Sequence, residues 1–306
     1  MHLIALLTIG PADTASGLVA AAGTLRDAGV DGVGFLDAQD LGTPVAALES
    51  STLATLVGLT VPGIGVIGSQ SGLYGYPFHT ARRFATLDHL SAGWSGWLLR
   101  TGSAGSEASA LDRQAGSGAD GGLARAGEHA EIGYRLWDSW EDGAQWPDKE
   151  SGNFKDDSRI HAIDYASDRF QVEGPLDVPP SPQHRPVVLA LVSSPDQVAA
   201  LGPWIDVAVV LAPDEDAAVE LAAAVRADGR IPKVLLACGA KGLPIAAADQ
   251  LAAAGVADGL APVIDTTGVA DVAALATAVP EPPDGTARTF AERLGIGPLP
   301  VGGRTA

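Results

Sequence analysis

Cysteine is almost missing: Cys238 is the one thiol in 306 residues. A lone thiol allows no intramolecular disulfide and no cysteine metal cluster, and it fits a reducing cytoplasm. Positive charge is also scarce. Nineteen Lys and Arg face thirty-seven Asp and Glu, giving a formal net charge of −18 and a pI near 4.5. A surface of that sign repels phosphate backbones and anionic membranes, so nucleic-acid and membrane partners are excluded. Long apolar runs are lacking as well. The opening His2-Leu-Ile-Ala-Leu-Leu-Thr-Ile9 falls far short of the about 20 residues of a bilayer span. It has neither the basic flank nor the small-residue cleavage site of a signal peptide, and reads as a first strand. No G-x-S-x-G, H-E-x-x-H or P-loop pattern occurs. The six histidines are scattered, none at the i, i+4 spacing of a metal site, so no metal is expected. Cys238, in Val234-Leu-Leu-Ala-Cys-Gly239, reads as a small buried hydrophobe.

What is present is an alternation. Apolar strands at Leu3–Ile9, Gly32–Phe35, Val61–Gly68 and Gly96–Thr101 are separated by helical stretches at Thr14–Ala28, Pro44–Leu59 and Pro77–Ser91. Strands at Val187–Val192, Asp206–Leu211, Lys233–Cys238 and Gly259–Ile264 alternate with helices at Pro195–Leu201, Asp214–Ala227, Pro244–Ala254 and Val269–Val279. Continuous apolar strands between amphipathic helices indicate a parallel sheet covered on both faces. Four strands before an interruption and four after it give the count of a (β/α)8 TIM barrel, spanning 1–306 as one domain. The interruption begins with a Gly/Ser/Ala/Asp-rich segment, 102–122, expected to be a mobile loop. A helix, Leu123–Trp140, follows, then an excursion over 145–186 without helical periodicity, in which Ile160–Val172 reads as a hairpin. Pro280–Pro283 and the tail to Ala306 are expected to wrap the outside.

In a barrel of this kind chemistry gathers where strands end, so polar residues closing apolar runs are the candidates. They are Thr8, Asp37, Ser69, Gln70, Ser71, Thr101, Ser193, Ser194 and Asp265. The competing reading is that such residues cap the next helix. Ser193-Ser194-Pro195 opens a helix and presents hydroxyls and free N–H groups of the kind that receive a phosphate. His79 and Arg83 share one helix face near the third strand, and His79 is placed to donate to a substrate or cofactor oxygen. Gly63-Ile-Gly-Val-Ile-Gly68 matches G-x-G-x-x-G, with Asp88 about 20 residues on. Its glycines fall inside the strand and no helix opens among them, so close backbone packing is the better account. Trp137 and Trp140 at i, i+3 read as helix–barrel packing.

One stretch carries a resemblance. Tyr76-Pro-Phe-His-Thr-Ala-Arg-Arg-Phe-Ala-Thr-Leu-Asp-His-Leu-Ser-Ala-Gly-Trp-Ser-Gly-Trp-Leu-Leu-Arg-Thr101 resembles the helix–strand signature of bacterial-luciferase-like flavin monooxygenases. The nearest branch is that of nitrilotriacetate and dibenzothiophene-sulfone monooxygenases, with the pattern P-Y-H-x-A-R-x-F-A-x-L-D-H-L-S-x-G-R-x-G-W-N-x-V-T-S. Leu136-Trp-Asp-Ser-Trp-Glu-Asp142, Phe170-Gln-Val-Glu-Gly-Pro-Leu176, Pro180-Ser-Pro-Gln-His-Arg-Pro186 and Thr289-Phe-Ala-Glu-Arg-Leu-Gly295 resemble further family segments in the family order. The resemblance implies a cytoplasmic, homo-oligomeric barrel that takes reduced FMN from a separate flavin reductase and activates O2 against a small organic substrate. By position it implies that Asp37, Ser69 and Ser194 hold the cofactor, Ser194 at its phosphate, with Gln70, Thr101 and Ser193 beside them.

The chain departs from the pattern in the second half of that stretch. Leu98 stands at the family's Asn and Gly102 at its final Ser; Trp94 and Arg100 replace further positions expected to face the cofactor. Upstream of Leu136, the family's H-x-x-R-Y falls on Ala119, Gly122 and Leu123. The chain is also shorter than the usual member. Two functions therefore stand side by side. The leading one is a reduced-FMN monooxygenase with an altered site, with a deazaflavin as a variant cofactor. The alternative is a flavin-site-degenerate barrel serving as a partner subunit or binding protein.

Overall fold

The computed structural model describes residues 1–36, 48–101, 122–145, 149–239, 242–278, 287–297 and 299. Strand β1 (His2–Thr8) leads through helix α1 (Ala15–Asp27) to β2 (Gly32–Leu36), and α2 (Ser50–Thr60) leads to β3 (Gly65–Ser71). Helix α3 (Pro77–Leu90) precedes β4 (Ser95–Arg100), and α4 (Leu123–Trp137) precedes a two-stranded hairpin of β5 (Tyr165–Ala166) and β6 (Gln171–Val172). The series resumes with β7 (Val187–Val192), α5 (Pro195–Leu201), β8 (Val207–Val210), α6 (Glu215–Asp228) and β9 (Lys233–Gly239). It finishes with α7 (Ile245–Ala253), β10 (Gly259–Ile264), α8 (Val269–Ala278) and α9 (Phe290–Arg293). All strands outside the hairpin pair in parallel, and β1 closes the ring by pairing with both β2 and β10. The fold is the expected (β/α)8 barrel, with a hairpin-bearing excursion after the fourth barrel strand.

Two apolar layers hold it together. Ile4, Leu6, Ile67, Leu98, Leu189 and Val209 fill the barrel, while Leu25, Val57, Phe84, Trp97 and Leu99 pack between strands and helices. The alternation along each strand separates the layers, since neighbouring side chains point to opposite faces. Trp137 joins the outer layer as expected, edge-on to Trp97 and donating to the Ala81 carbonyl at 3.0 Å.

Two expectations are corrected. The third strand is not Val61–Gly68 but Gly65–Ser71. Val61 closes α2 by donating its N–H to the Val57 carbonyl at 2.8 Å, and Pro62-Gly63 makes a turn with Gly63 at φ +88°. Ser69, Gln70 and Ser71 thereby become strand residues, in register with Leu98, Leu99 and Arg100. The described part of the tail, 287–297 and 299, does not wrap the outside either, while Pro280–Pro283 and 300–306 lie outside the described residues. Phe290, Ala291 and Leu294 share a helical face and close the N-terminal end of the barrel, where Phe290 is fully buried. Gly32 and Gly65 make room for its ring, because a Cβ on Gly32 would stand 3.0 Å from it and one on Gly65 closer still. The segment expected to be a mobile loop, 102–122, lies outside the described residues except for Gly122.

Acidic side chains tie that same end. Asp31, just before β2, accepts the N–H of Leu3 on β1 at 2.8 Å. Asp206, before β8, accepts that of Val188 on β7 at 2.9 Å, and Asp258, before β10, that of Val234 on β9 at 2.8 Å. Each acid stitches its own strand to the preceding barrel strand. Arg185, itself buried, adds a bidentate pair to Asp206 at 2.7 and 3.0 Å and stacks over Tyr134. Burial opposes the guanidinium charge, but Asp206 outweighs it and raises the Arg185 pKa. Buried Asp88 accepts from Ser95 Oγ at 2.7 Å and Gln183 Nε2 at 2.6 Å, fastening the 180–186 turn beneath β4.

Candidate functional site

The opposite end, where the strands terminate, carries the predicted site. Its most connected group lies at the β7–α5 turn. Ser194 is the N-cap of α5, and its Oγ accepts the N–H of Gln197 at 3.3 Å. Gln197 Oε1 accepts both the Ser193 N–H at 2.7 Å and the Ser193 hydroxyl at 3.1 Å. The other end of that carboxamide donates to Thr101 Oγ1 at 3.1 Å, and Thr101 is buried. The structure thus gathers three predicted residues, Thr101, Ser193 and Ser194, around a fourth that the sequence reading missed. Ser194-Pro-Asp-Gln197 is an S-x-x-Q capping box, so a signal for Gln197 was there. Here the Gln reaches one residue past the N-cap.

The remaining candidates are placed apart. Ser69 is buried, and its N–H donates to Ser50 Oγ at 2.7 Å. Gln70 turns outward: its Oε1 accepts from Arg83, and its carbonyl from Trp97 Nε1 at 3.2 Å. His79 is exposed on α3, edge-on to Tyr76 and Phe78, and is not drawn into the Thr101–Ser193 cluster. Ser71 Oγ accepts the Leu73 N–H at 3.1 Å, and Asp265 accepts the N–H groups of Thr267 and Gly268 at 2.9 and 3.3 Å. Both therefore serve turns, and hydrogen bonds from Thr267 lead in holding the Asp265 carboxyl below the usual carboxylate range. Asp37, Gly102 and Ala119 lie outside the described residues.

Two departures read from the sequence now have positions. Leu98 points into the barrel beside Ile67 and Leu189, an apolar surface where the family pattern has an amide. Trp94 was expected to face the cofactor, and this is corrected. It precedes β4 at the closed end, its carbonyl accepting the Val66 N–H, and packs on the interior from the side opposite the mouth. Cys238 is buried and its thiol is pushed up to about 12, first by burial and then by Asp249, which leaves it inert at neutral pH.

Ser193 does not fit a flavin phosphate as it stands, because its N–H and its hydroxyl are both spent on Gln197. Ser194 Oγ and Thr101 Oγ1 accept from Gln197 and keep their own hydroxyl hydrogens. A hollow of about 180 Å³ beside Ser193 is lined by Leu211, Pro213, Leu221 and Glu220, with no Lys or Arg among its described lining. Among the described residues no group of three His, Cys, Asp or Glu could hold a metal ion, and no helix is long and apolar enough to cross a membrane.

Residues 3–293 match the family model described as luciferase-like monooxygenase. Nitrilotriacetate monooxygenase component A of Aminobacter aminovorans is 35% identical over 158 residues, 52% of this chain and 35% of that protein. The chain spans little more than a third of the length of such curated relatives. One subunit of the pristinamycin IIA synthase of Streptomyces pristinaespiralis is 31% identical over 295 residues, 96% of this chain and 94% of that one. Among solved structures, long-chain alkane monooxygenase superposes with a TM-score of 0.78 at 18% identity, covering 96% of this chain and 95% of the other.

Proposed function

The chain belongs to the luciferase-like monooxygenases, and we propose that it works as one subunit of a reduced-flavin monooxygenase that oxidises a small organic substrate with O2. The observation that carries this reading is end-to-end correspondence with a protein named as a subunit of a synthase, 96% of one chain against 94% of the other. Relatives named as monooxygenases in their own right match by sequence over only 35–38% of their length, although the fold of long-chain alkane monooxygenase is covered to 95%. The mouth supports the same division of labour. Leu98 replaces an expected amide, and the serines of the β7–α5 turn are bonded within the chain. Reduced FMN would come from a separate flavin reductase, as the name "component A" of one relative suggests. In this reading the assembly operates in the cytoplasm.

A partner also has a surface to meet. Helix α2 carries no charged residue from Ser50 to Thr60, in a chain of net charge −18. Leu56 and Leu59 on it, and Leu48 before it, are exposed. Leu56 and Leu59, three residues apart, share one helical face, which in this reading a partner would cover.

A second reading, a self-sufficient reduced-FMN or deazaflavin monooxygenase, is favoured by the placement of Thr101, Ser193 and Ser194 just past the ends of β4 and β7. Calorimetric titration with FMN, reduced FMN and reduced deazaflavin separates the two. On the subunit reading the isolated chain binds none at concentrations of about 100 μM, whereas its complex with a longer luciferase-like chain binds reduced FMN. Tight binding by the isolated chain would establish the second reading instead.

A further inference from the structure

The β7–α5 turn has the sequence of a phosphate seat and the bonding of a closed one. An anion oxygen held by Ser193 would take its N–H or its hydroxyl. Gln197 Oε1 already takes both, at 2.7 and 3.1 Å. The other end of its carboxamide is tied as well, donating to buried Thr101. The electrostatics agree. The neighbouring hollow presents Glu220 and apolar side chains, and Asp196 occupies the first turn of α5. In the hollow beside Ser193 a phosphate dianion would meet the Glu220 carboxylate and no cation among the described lining.

We infer that Gln197 is an internal plug. By completing a capping box that reaches out to Ser193, it consumes both donors of that residue. This chain therefore does not seat a flavin phosphate on Ser193, and in the proposed assembly that contact comes from the partner chain. The inference rests on the proposed function only for the identity of the ligand.

Two measurements on the full chain test it. In calorimetry the isolated protein should bind FMN no more than about twofold more tightly than riboflavin, and Ser193→Ala should change neither affinity. A preference for FMN of about tenfold or more that Ser193→Ala abolishes would overturn the inference. Flavin binding by the isolated chain that is indifferent to Ser193 would count against the subunit reading and leave the plug standing. The second measurement is amide hydrogen exchange at Ser193. Its N–H should be protected in the wild type, lose at least about tenfold of that protection in Gln197→Ala, and regain it in Gln197→Glu, which keeps an acceptor. No protection in the wild type, or none lost in Gln197→Ala, refutes the plug. Should Gln197→Ala fail to fold by circular dichroism, Thr101→Val releases the carboxamide without touching α5. Protection at Ser193 must then fall, and unchanged protection refutes the plug equally.

Discussion

The two ends of this barrel use polar side chains in opposite ways. At the closed end Asp31, Asp88, Asp206 and Arg185 are buried, and each is bonded to a neighbouring strand, a turn or the terminal helix. At the open end the candidate groups Thr101, Ser193, Ser194 and Gln197 are neutral, and they bond to one another across the β7–α5 turn and the end of β4. The motifs by which the chain resembles its family fall mostly at the first end. Asp88 and Gln183 hold the 180–186 turn, Arg185 holds β8, and Thr289 to Gly295 contains the buried Phe290. Polar residues at the closed face of such barrels serve stability, and those at the open face serve chemistry. A family likeness concentrated at the closed face therefore certifies the scaffold more than the activity.

The sharpest way to break that contrast is Asp206→Ala. It leaves Arg185 charged and buried without its partner, and deprives the Val188 N–H of its acceptor. Breaking a buried pair in this way costs about 3–5 kcal/mol. Chemical denaturation followed by circular dichroism reads the loss, and a change below about 1 kcal/mol would mean that the closed end does not hold the barrel. Phe290→Ala comes next. It empties the space beneath Gly32 and Gly65, and removal of a buried Phe side chain costs about 3–5 kcal/mol. Because α9 is short and has one face to water, the lower part of that range is expected. A variant as stable as the wild type would return the tail to the outside of the barrel.

A third test lies in the upper half of the helix layer. His129 is buried on α4, with Nε2 against Thr80 Oγ1 at 2.9 Å. Burial, and then the Arg125 charge, push its pKa down to about 3, so it is neutral in the folded protein. An unfolded His titrates near 6.5, so below that pH the unfolded chain takes up a proton that the folded one refuses. Stability is full above pH ~6.5 and falls by up to ~1.4 kcal/mol per pH unit as pH drops toward the folded value. Between about pH 6.5 and 5 the carboxylates, which titrate near 4 when unperturbed, add little. His129→Gln, which can still bond Thr80, should flatten the slope over that interval, measured as the shift in denaturation midpoint. Equal slopes in the two proteins would show that His129 takes up a proton while folded.

The barrel was legible because its signal is repeated. Apolar runs end in turns eight times over, and the excursion betrays itself by losing periodicity. The error at β3 came from reading Val61 as strand, when it is the last partner of the α2 ladder. The site was legible only as a set of positions. Thr101, Ser193 and Ser194 do converge, but what they converge on is Gln197, whose reach depends on a rotamer and on how far β4 stands from β7. The ties made by Asp31, Asp206 and Asp258 escaped for a related reason. Each is an Asp directly before an apolar strand, a pattern visible in the sequence, yet its partner lies on another strand and only the closed ring supplies it.

The smallest effect expected is also the one that bears most directly on the open end. Ser194→Ala removes the N-cap of α5, a change worth about 1 kcal/mol when the side chain does nothing but cap. Gln197 retains its bonds to Ser193 and Thr101 in that variant, so the turn should keep its shape and the loss should stay near that figure. Asp206→Ala should cost several times more, and that ratio measures the difference between the two ends of the barrel. A loss from Ser194→Ala as large as that from Asp206→Ala would mean that the open end is also scaffold. A loss near zero, with flavin affinity falling for FMN and not for riboflavin, would mean that Ser194 meets a phosphate after all. Measured in one buffer by denaturation and calorimetry, the two substitutions decide which end of the barrel carries the structure and whether the other still carries chemistry.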